Sequence, residues 1–395
     1  MHLVHPMTTT FLSAPTWRRE PYRLLFPLGA LLGVAGVLPW LLFGLGASLR
    51  YDPVFHALAL VQGFLASYVL GFLFTFVPRR TATRAPAAWQ MGLALLLPVA
   101  LTGAAWMGQL ALSQALWVLL LLMLVGFVGA RALRPQKQVP GGFAWLPVSL
   151  VMGLVGSLLT AAPAELLPMG HLMGQGLLTQ GMLTGLVLGV GTLLLPVLLY
   201  ARPPANPGDH LLGVTGLLHL GAALLFIASF WLEAARSTQL GYALRAAVCA
   251  GLLVGPMGLW RAPTERGLHR RFVWLSAWLL PVGYALVALF PAHRVAGEHV
   301  VFIGGLALIT LSISTHVVLA HGGYGGLLRA SPWHVAGCGA LSLSALLLRG
   351  LVSLDPAHFR GWLAGAAACF LGALALWAAL VVPRLRSAPP RAEAG

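Results

Sequence analysis

The sequence predicts an all-α polytopic membrane protein of twelve transmembrane helices, and three observations carry that prediction. Of the 395 residues 59% are hydrophobic and 8% charged, with a mean hydropathy of +0.87, too apolar for a water-exposed surface at this size. The apolar stretches recur in lengths near the ~20 residues that a bilayer core requires. Their separators carry Pro, Gly and Arg, and none is long enough to fold as a soluble domain.

Residues 1–21 precede the first span, whose long apolar run sets it apart from a cleavable signal peptide. The membrane domain covers 22–384 and residues 385–395 form a tail. Within it the candidate spans fall near 22–48, 53–78, 86–108, 111–133, 143–163, 173–201, 208–232, 239–260, 271–290, 297–320, 331–352 and 358–383. The third and fourth are separated only by Gly108 to Ala111, so one helix followed by a re-entrant piece is the alternative there. Gly181, Gly185 and Gly189, at four-residue spacing in the sixth span, read as close helix packing.

The net charge of +15 is distributed by side. With the N-terminus inside, 18 of the 24 Lys and Arg residues fall in inner segments, among them Arg79, Arg80, Arg134, Lys137, Arg202, Arg386 and Arg391. Only Arg50, Arg236, Arg245, Arg294, Arg349 and Arg360 fall outside. This asymmetry predicts a multi-pass membrane protein with both termini cytoplasmic and the lipid bilayer as its partner. Nucleic acid is not an expected partner, because the basic residues sit in separate loops. Cys249, Cys338 and Cys369 lie within spans and read as small buried hydrophobes.

Ionisable groups inside spans are the candidate functional residues. His56, His171 and His299 stand near the starts of spans two, six and ten, all at outer ends. Their separations, 115 and 128 residues, are what three four-helix units would give. A b-type haem needs two neutral imidazoles facing each other at similar depth within an apolar and aromatic wall, and His56 with His299 meet the depth condition. Met169, Met173 and Met182 around His171 add soft thioethers to an imidazole, a donor set suited to copper. His219 lies mid-span and is a ligand or proton-relay candidate; His316 and His321, five residues apart, point in different directions from the inner end of the tenth span. An interfacial hydrogen-bonding role is the plain alternative for each. His2, His5, His210, His269, His293, His334 and His358 read as terminal or loop residues. No paired carboxylates are evident in the spans, and Glu165, Glu298 and Asp355 sit at outer boundaries, so hydrolytic chemistry has little support.

Two stretches carry a family resemblance. The second span reads HALALVQGF and then GFLFTFVP, and the tenth reads HVVFIGG and then HVVLAHGG. They resemble the NnrS family, multi-span bacterial membrane proteins associated with haem, copper and the response to nitric oxide. His56, Ala57, Gly63, Phe64, Gly71, Phe72, Leu73, Thr75, Pro78, His299, His321 and Gly323 match the family patterns. Leu58 and Ala59 stand where a second histidine and a glutamate are expected, His316 replaces an arginine, and the sixth span keeps only Pro196 of its motif. The resemblance implies a divergent member: a haem-binding membrane protein acting in nitric oxide handling or the nitrosative-stress response. The four-helix spacing also resembles the layout of the haem-copper oxidase core. A polytopic transporter without a cofactor is the competing reading, since twelve spans with few charges suit it too.

Overall fold

The computed structural model describes residues 11, 13–133, 135, 139–161, 164–201 and 209–385. Among them every regular element is a helix, as an apolar solvent requires of a chain that must satisfy its own backbone. Eleven helices are long and apolar enough to cross a membrane. They are α1 (Tyr22–Gly44), α2 (Pro53–Thr81), α3 (Ala88–Trp106), α4 (Leu110–Ala132), α5 (Gly141–Ala161), α6 (Pro168–Tyr200), α7 (Val214–Ala235), α9 (Leu268–Leu289), α10 (Pro291–His321), α11 (Trp333–Leu354) and α12 (Pro356–Leu385). Of the three shorter helices, Thr16–Arg19 and Gly325–Ala330 are one turn or two, and α8 (Thr238–Val254) has 17 residues and rises only ~25 Å.

The expected span 239–260 is therefore too long. Pro256 lacks a backbone N–H and disfavours helical geometry in the residue before it, so α8 stops ahead of Gly255. The chain then continues irregularly, and Leu259 O accepts hydrogen bonds from Trp274 and Trp278 on α9. At Gly108 the turn between α3 and α4 is real: φ is +76°, a left-handed conformation open to glycine, and it separates two helices where one continuous helix was the alternative. His171 falls inside α6, which begins at Pro168, earlier than expected.

Hydrogen bonds show which segments share an end of the bundle. Arg18 donates to Pro86 O, Arg79 to Arg19 O, Arg131 to Arg84 O and Arg23 to Leu385 O. The start of α1, the α2–α3 connection and the ends of α4 and α12 thus meet at one end, the terminal end. At the far end Arg50, after α1, donates to Trp106 O at the end of α3. Arg134, Lys137, Arg202, Arg386, Arg391, His2 and His5 lie outside the described residues.

Three helices share an unusual feature at the same place. Each has a π-helical segment near its far end: Ala59–Leu65 in α2, Leu177–Gly181 in α6 and Val300–Ala307 in α10. A π segment widens the helix by one residue per turn and redirects the side chains that follow, and it recurs at functional sites. Here each follows closely on one of His56, His171 and His299. The segments in α2 and α6 turn Gln62 and Gln180 fully inward, where Gln62 exchanges hydrogen bonds with Gln114 of α4.

Glycine permits a close crossing of α5 and α6. At Gly156 on α5 a Cβ atom would stand 2.7 Å from Leu178 N and 2.9 Å from Gly174 O of α6, both backbone atoms that cannot swing away. Gly156→Val is expected to lower the stability of the detergent-solubilised protein by about 1–3 kcal/mol. Gly92→Val, at a glycine with open space around it, should change stability by about 0.5 kcal/mol or less. Denaturant unfolding of both variants checks the contrast.

Candidate functional site

At the far end, α1, α2, α10 and α11 bring together His56, His299 and Arg349. His56 Nδ1 lies 3.0 Å from Gly36 O on α1, and His299 Nδ1 lies 2.7 Å from Val295 O one turn back on α10. A carbonyl only accepts, so in each ring Nδ1 carries the proton and the lone pair resides on Nε2. That arrangement fixes the tautomer and orients the free nitrogen, as second-shell carbonyls do for ligating histidines. The two rings are within electrostatic range of one another, and both are within range of Arg349.

The wall around them is aromatic. Trp40 lies against His56 with ring centroids 4.3 Å apart, and Tyr51 packs on Trp40, Phe43 and Phe359. Phe302 meets His299 edge-on at 6.3 Å. Arg349, 8% exposed on α11, has no hydrogen-bond partner at Nε or Nη1 among the described residues. A guanidinium in a membrane helix normally finds a carboxylate or carbonyls, so an orphaned one marks a place where an anionic group fits.

The other candidates are dispersed. His171 Nε2 is 3.1 Å from Gln175 Nε2 on its own helix, Met169 is exposed, and the Met182 sulfur packs towards Gly153 of α5. Among the described residues no group of three His, Cys, Asp or Glu side chains is placed to hold a metal ion. His219 is buried on α7 and its Nδ1 has no hydrogen-bond partner among the described residues. At the terminal end His316 and His321 do point apart. His316 Nδ1 lies 3.1 Å from Nε2 of His269, and both nitrogens of His321 lie 3.2 Å from Nη1 of Arg79. His269, expected in a loop, is instead fully buried on α9, because helix α9 starts at Leu268 and turns it toward α10.

A second far-end feature was not foreseen. Arg245 is 0% exposed on α8 and paired with Glu233 of α7, and it also donates to Ser229 Oγ and to Gln180 Oε1, both at 3.0 Å. Arg294 bridges Glu233 and Glu298, each at 2.8 Å. Glu298 accepts from Tyr242 at 2.5 Å and from Gln180 at 3.0 Å. Thus Arg245, Arg294 and Arg349, expected in outer loops, stand on helices, and Arg245 and Arg349 are buried there. Glu233 and Glu298, 65 residues apart, form the carboxylate pair that no local motif announces. The available signal was one acid inside the apolar run of α7 and one base inside that of α8.

Between α2, α6 and α10 lies an apolar cavity of about 110 Å³ that meets a wider one of about 520 Å³ toward the terminal end, with Phe72, Leu194 and Ile313 lining both.

Helices throughout, eleven of membrane-spanning length and a polar site enclosed among them define a multi-pass integral membrane protein. The sequence profile of the NnrS protein family matches residues 16–388, nearly the whole chain, and the chain belongs to that family. No curated protein matches it.

Breaking the buried ion pair from one side leaves an uncompensated charge. Arg245→Met is expected to destabilise the protein by about 3–5 kcal/mol, and adding Glu233→Leu should recover part of that loss. A double-mutant cycle on unfolding midpoints checks it.

Proposed function

We propose that this NnrS family protein binds a haem b between His56 and His299 and acts in nitric oxide handling, in a bacterial inner membrane with both termini cytoplasmic. The observation that carries the reading is the pair of imidazoles whose Nδ1 protons are tied to carbonyls, with the orphaned Arg349 beside them. His56 and His299, both as neutral imidazoles, would hold the iron of a b-type haem. Arg349 suits a propionate, to which a guanidinium bonds through two parallel N–H groups. Trp40, Tyr51, Phe359 and Phe302 supply the flat apolar wall. When bound, the haem would supply an iron centre for one-electron chemistry. The chain's own part is to hold each Nε2 lone pair in place and to neutralise the buried anionic group. The retained His56 and His299, set against Leu58 and Ala59, fit a member that keeps one imidazole from α2.

A cofactor-free transporter is the second reading, and the cavity between α2, α6 and α10 is the observation that favours it.

A reduced-minus-oxidised absorption spectrum of the purified protein, reconstituted with haem, separates the two. The haem reading expects the spectrum of a six-coordinate b-type haem, lost or strongly shifted in His56→Ala and in His299→Ala while both variants still insert. Arg349→Gln should keep the band positions but weaken haem retention about tenfold, the worth of one charge-assisted hydrogen bond. A colourless wild-type protein, or an unchanged spectrum in well-expressed His56→Ala, removes the haem assignment.

A further inference from the structure

The two joined cavities at the terminal half of the bundle lie away from the histidine pair, and their walls differ in kind. The inner chamber is lined by apolar side chains of α2, α6 and α10, with Tyr68, Thr310 and Ser314 as its polar groups. The Tyr68 hydroxyl is buried, its residue 4% exposed, and has no hydrogen-bond partner among the described residues. The wider vestibule is lined by Arg79, Arg80 and Arg270 together with His316 and His321.

These arginines are incompletely satisfied. Nε of Arg79 and Nε of Arg270 are buried without a partner among the described residues, and no hydrogen bond holds the Arg80 side chain there. Their carboxylate partners are held at long range: Glu20 pairs with Arg79 at 3.7 Å and Glu265 with Arg270 at 3.8 Å, ion pairs longer than a hydrogen bond, and Asp209 acts on Arg80 only through its field. Guanidinium groups only donate, so what completes this set must accept, and an anionic acceptor gains most from three neighbouring cations. What fills the chamber beyond must be apolar.

We infer that the cavity between α2, α6 and α10 is a binding site for one anionic amphiphile, its carboxylate or phosphate head among Arg79, Arg80 and Arg270 and its apolar body passing Phe72 into the chamber below Tyr68. The ligand enters from the terminal end, on the side of the larger cavity. The site is separate from the proposed haem site, so either assignment can fail without the other.

Delipidated full-length protein in neutral detergent is titrated with dodecanoate, with phosphatidylglycerol, and with dodecanol and phosphatidylcholine as uncharged or zwitterionic counterparts, and bound mass is read by native mass spectrometry. At least one anionic probe is expected to bind at one equivalent in preference to its counterpart. Dodecanoate alone identifies a free carboxylate as the source, phosphatidylglycerol alone a lipid headgroup, and both together a site that reads the shared chemistry. Arg80→Gln, which removes no hydrogen bond among the described residues, should weaken binding about tenfold. Thr310→Trp, which fills the chamber, should abolish it. Both variants should keep the haem spectrum of the wild type. Equal binding of the charged and neutral probes, or undiminished binding in Arg80→Gln, overturns the inference even if Thr310→Trp does not fold.

Discussion

The guanidinium of Arg245 sits inside a membrane helix with no exposure to solvent, and its ion pair with Glu233 governs how the far end of the bundle is assembled. A charge at that depth is tolerated only with a partner and with its remaining donors used. The partner comes from α7, the remaining acceptors from Ser229 on α7 and Gln180 on α6, and Glu233 is shared with Arg294 at the start of α10. One buried cation therefore fixes four helices relative to one another. It also fixes the direction in which α10 enters the bundle. Glu298 is held toward Tyr242 and Gln180, so the adjacent His299, ~100° further round the helix, faces elsewhere and meets the electrostatic field of His56 and Arg349. Against this balanced network of two arginines and two glutamates, the neighbouring far-end cation Arg349 has Nε and Nη1 buried without a hydrogen-bond partner among the described residues.

The broad architecture was legible because hydropathy registers it directly: a run of ~20 apolar residues has few alternatives to a spanning helix. Residues near the right ends of the right helices were legible too, since His56 and His299 break apolar runs at similar depth. What escaped the sequence was everything made by contact between distant segments. Arg245 and Arg349 look like loop arginines in a list of basic residues, because only the fold shows that one has a carboxylate from α7 beside it and the other has none. His269 looks like part of a basic loop until helix α9 turns it against His316.

The π segments were equally hidden, for a different reason. No residue type encodes a π turn in the way that Gly or Pro encodes a helix end, since the extra residue is accommodated by neighbouring packing. Their recurrence in α2, α6 and α10, each just past a histidine, ties together what had been separate observations of spacing. It also explains how one helix can serve two sites. Before the π segment α2 presents His56 to the far-end site; after it Tyr68 and Phe72 face the cavity on the terminal side.

Helix α8 has a consequence for the surrounding membrane. Its ~25 Å falls short of a ~30 Å hydrocarbon layer, and its exposed apolar positions, Leu240, Ala243, Ala247, Gly251 and Val254, are mostly small side chains. Acyl chains beside it must compress or tilt to keep water from its ends, at a fraction of a kcal/mol for each Å of mismatch. A bilayer packed along this flank would therefore be thinner there than beside the eleven longer helices, and short or unsaturated lipids would fit it with the least deformation.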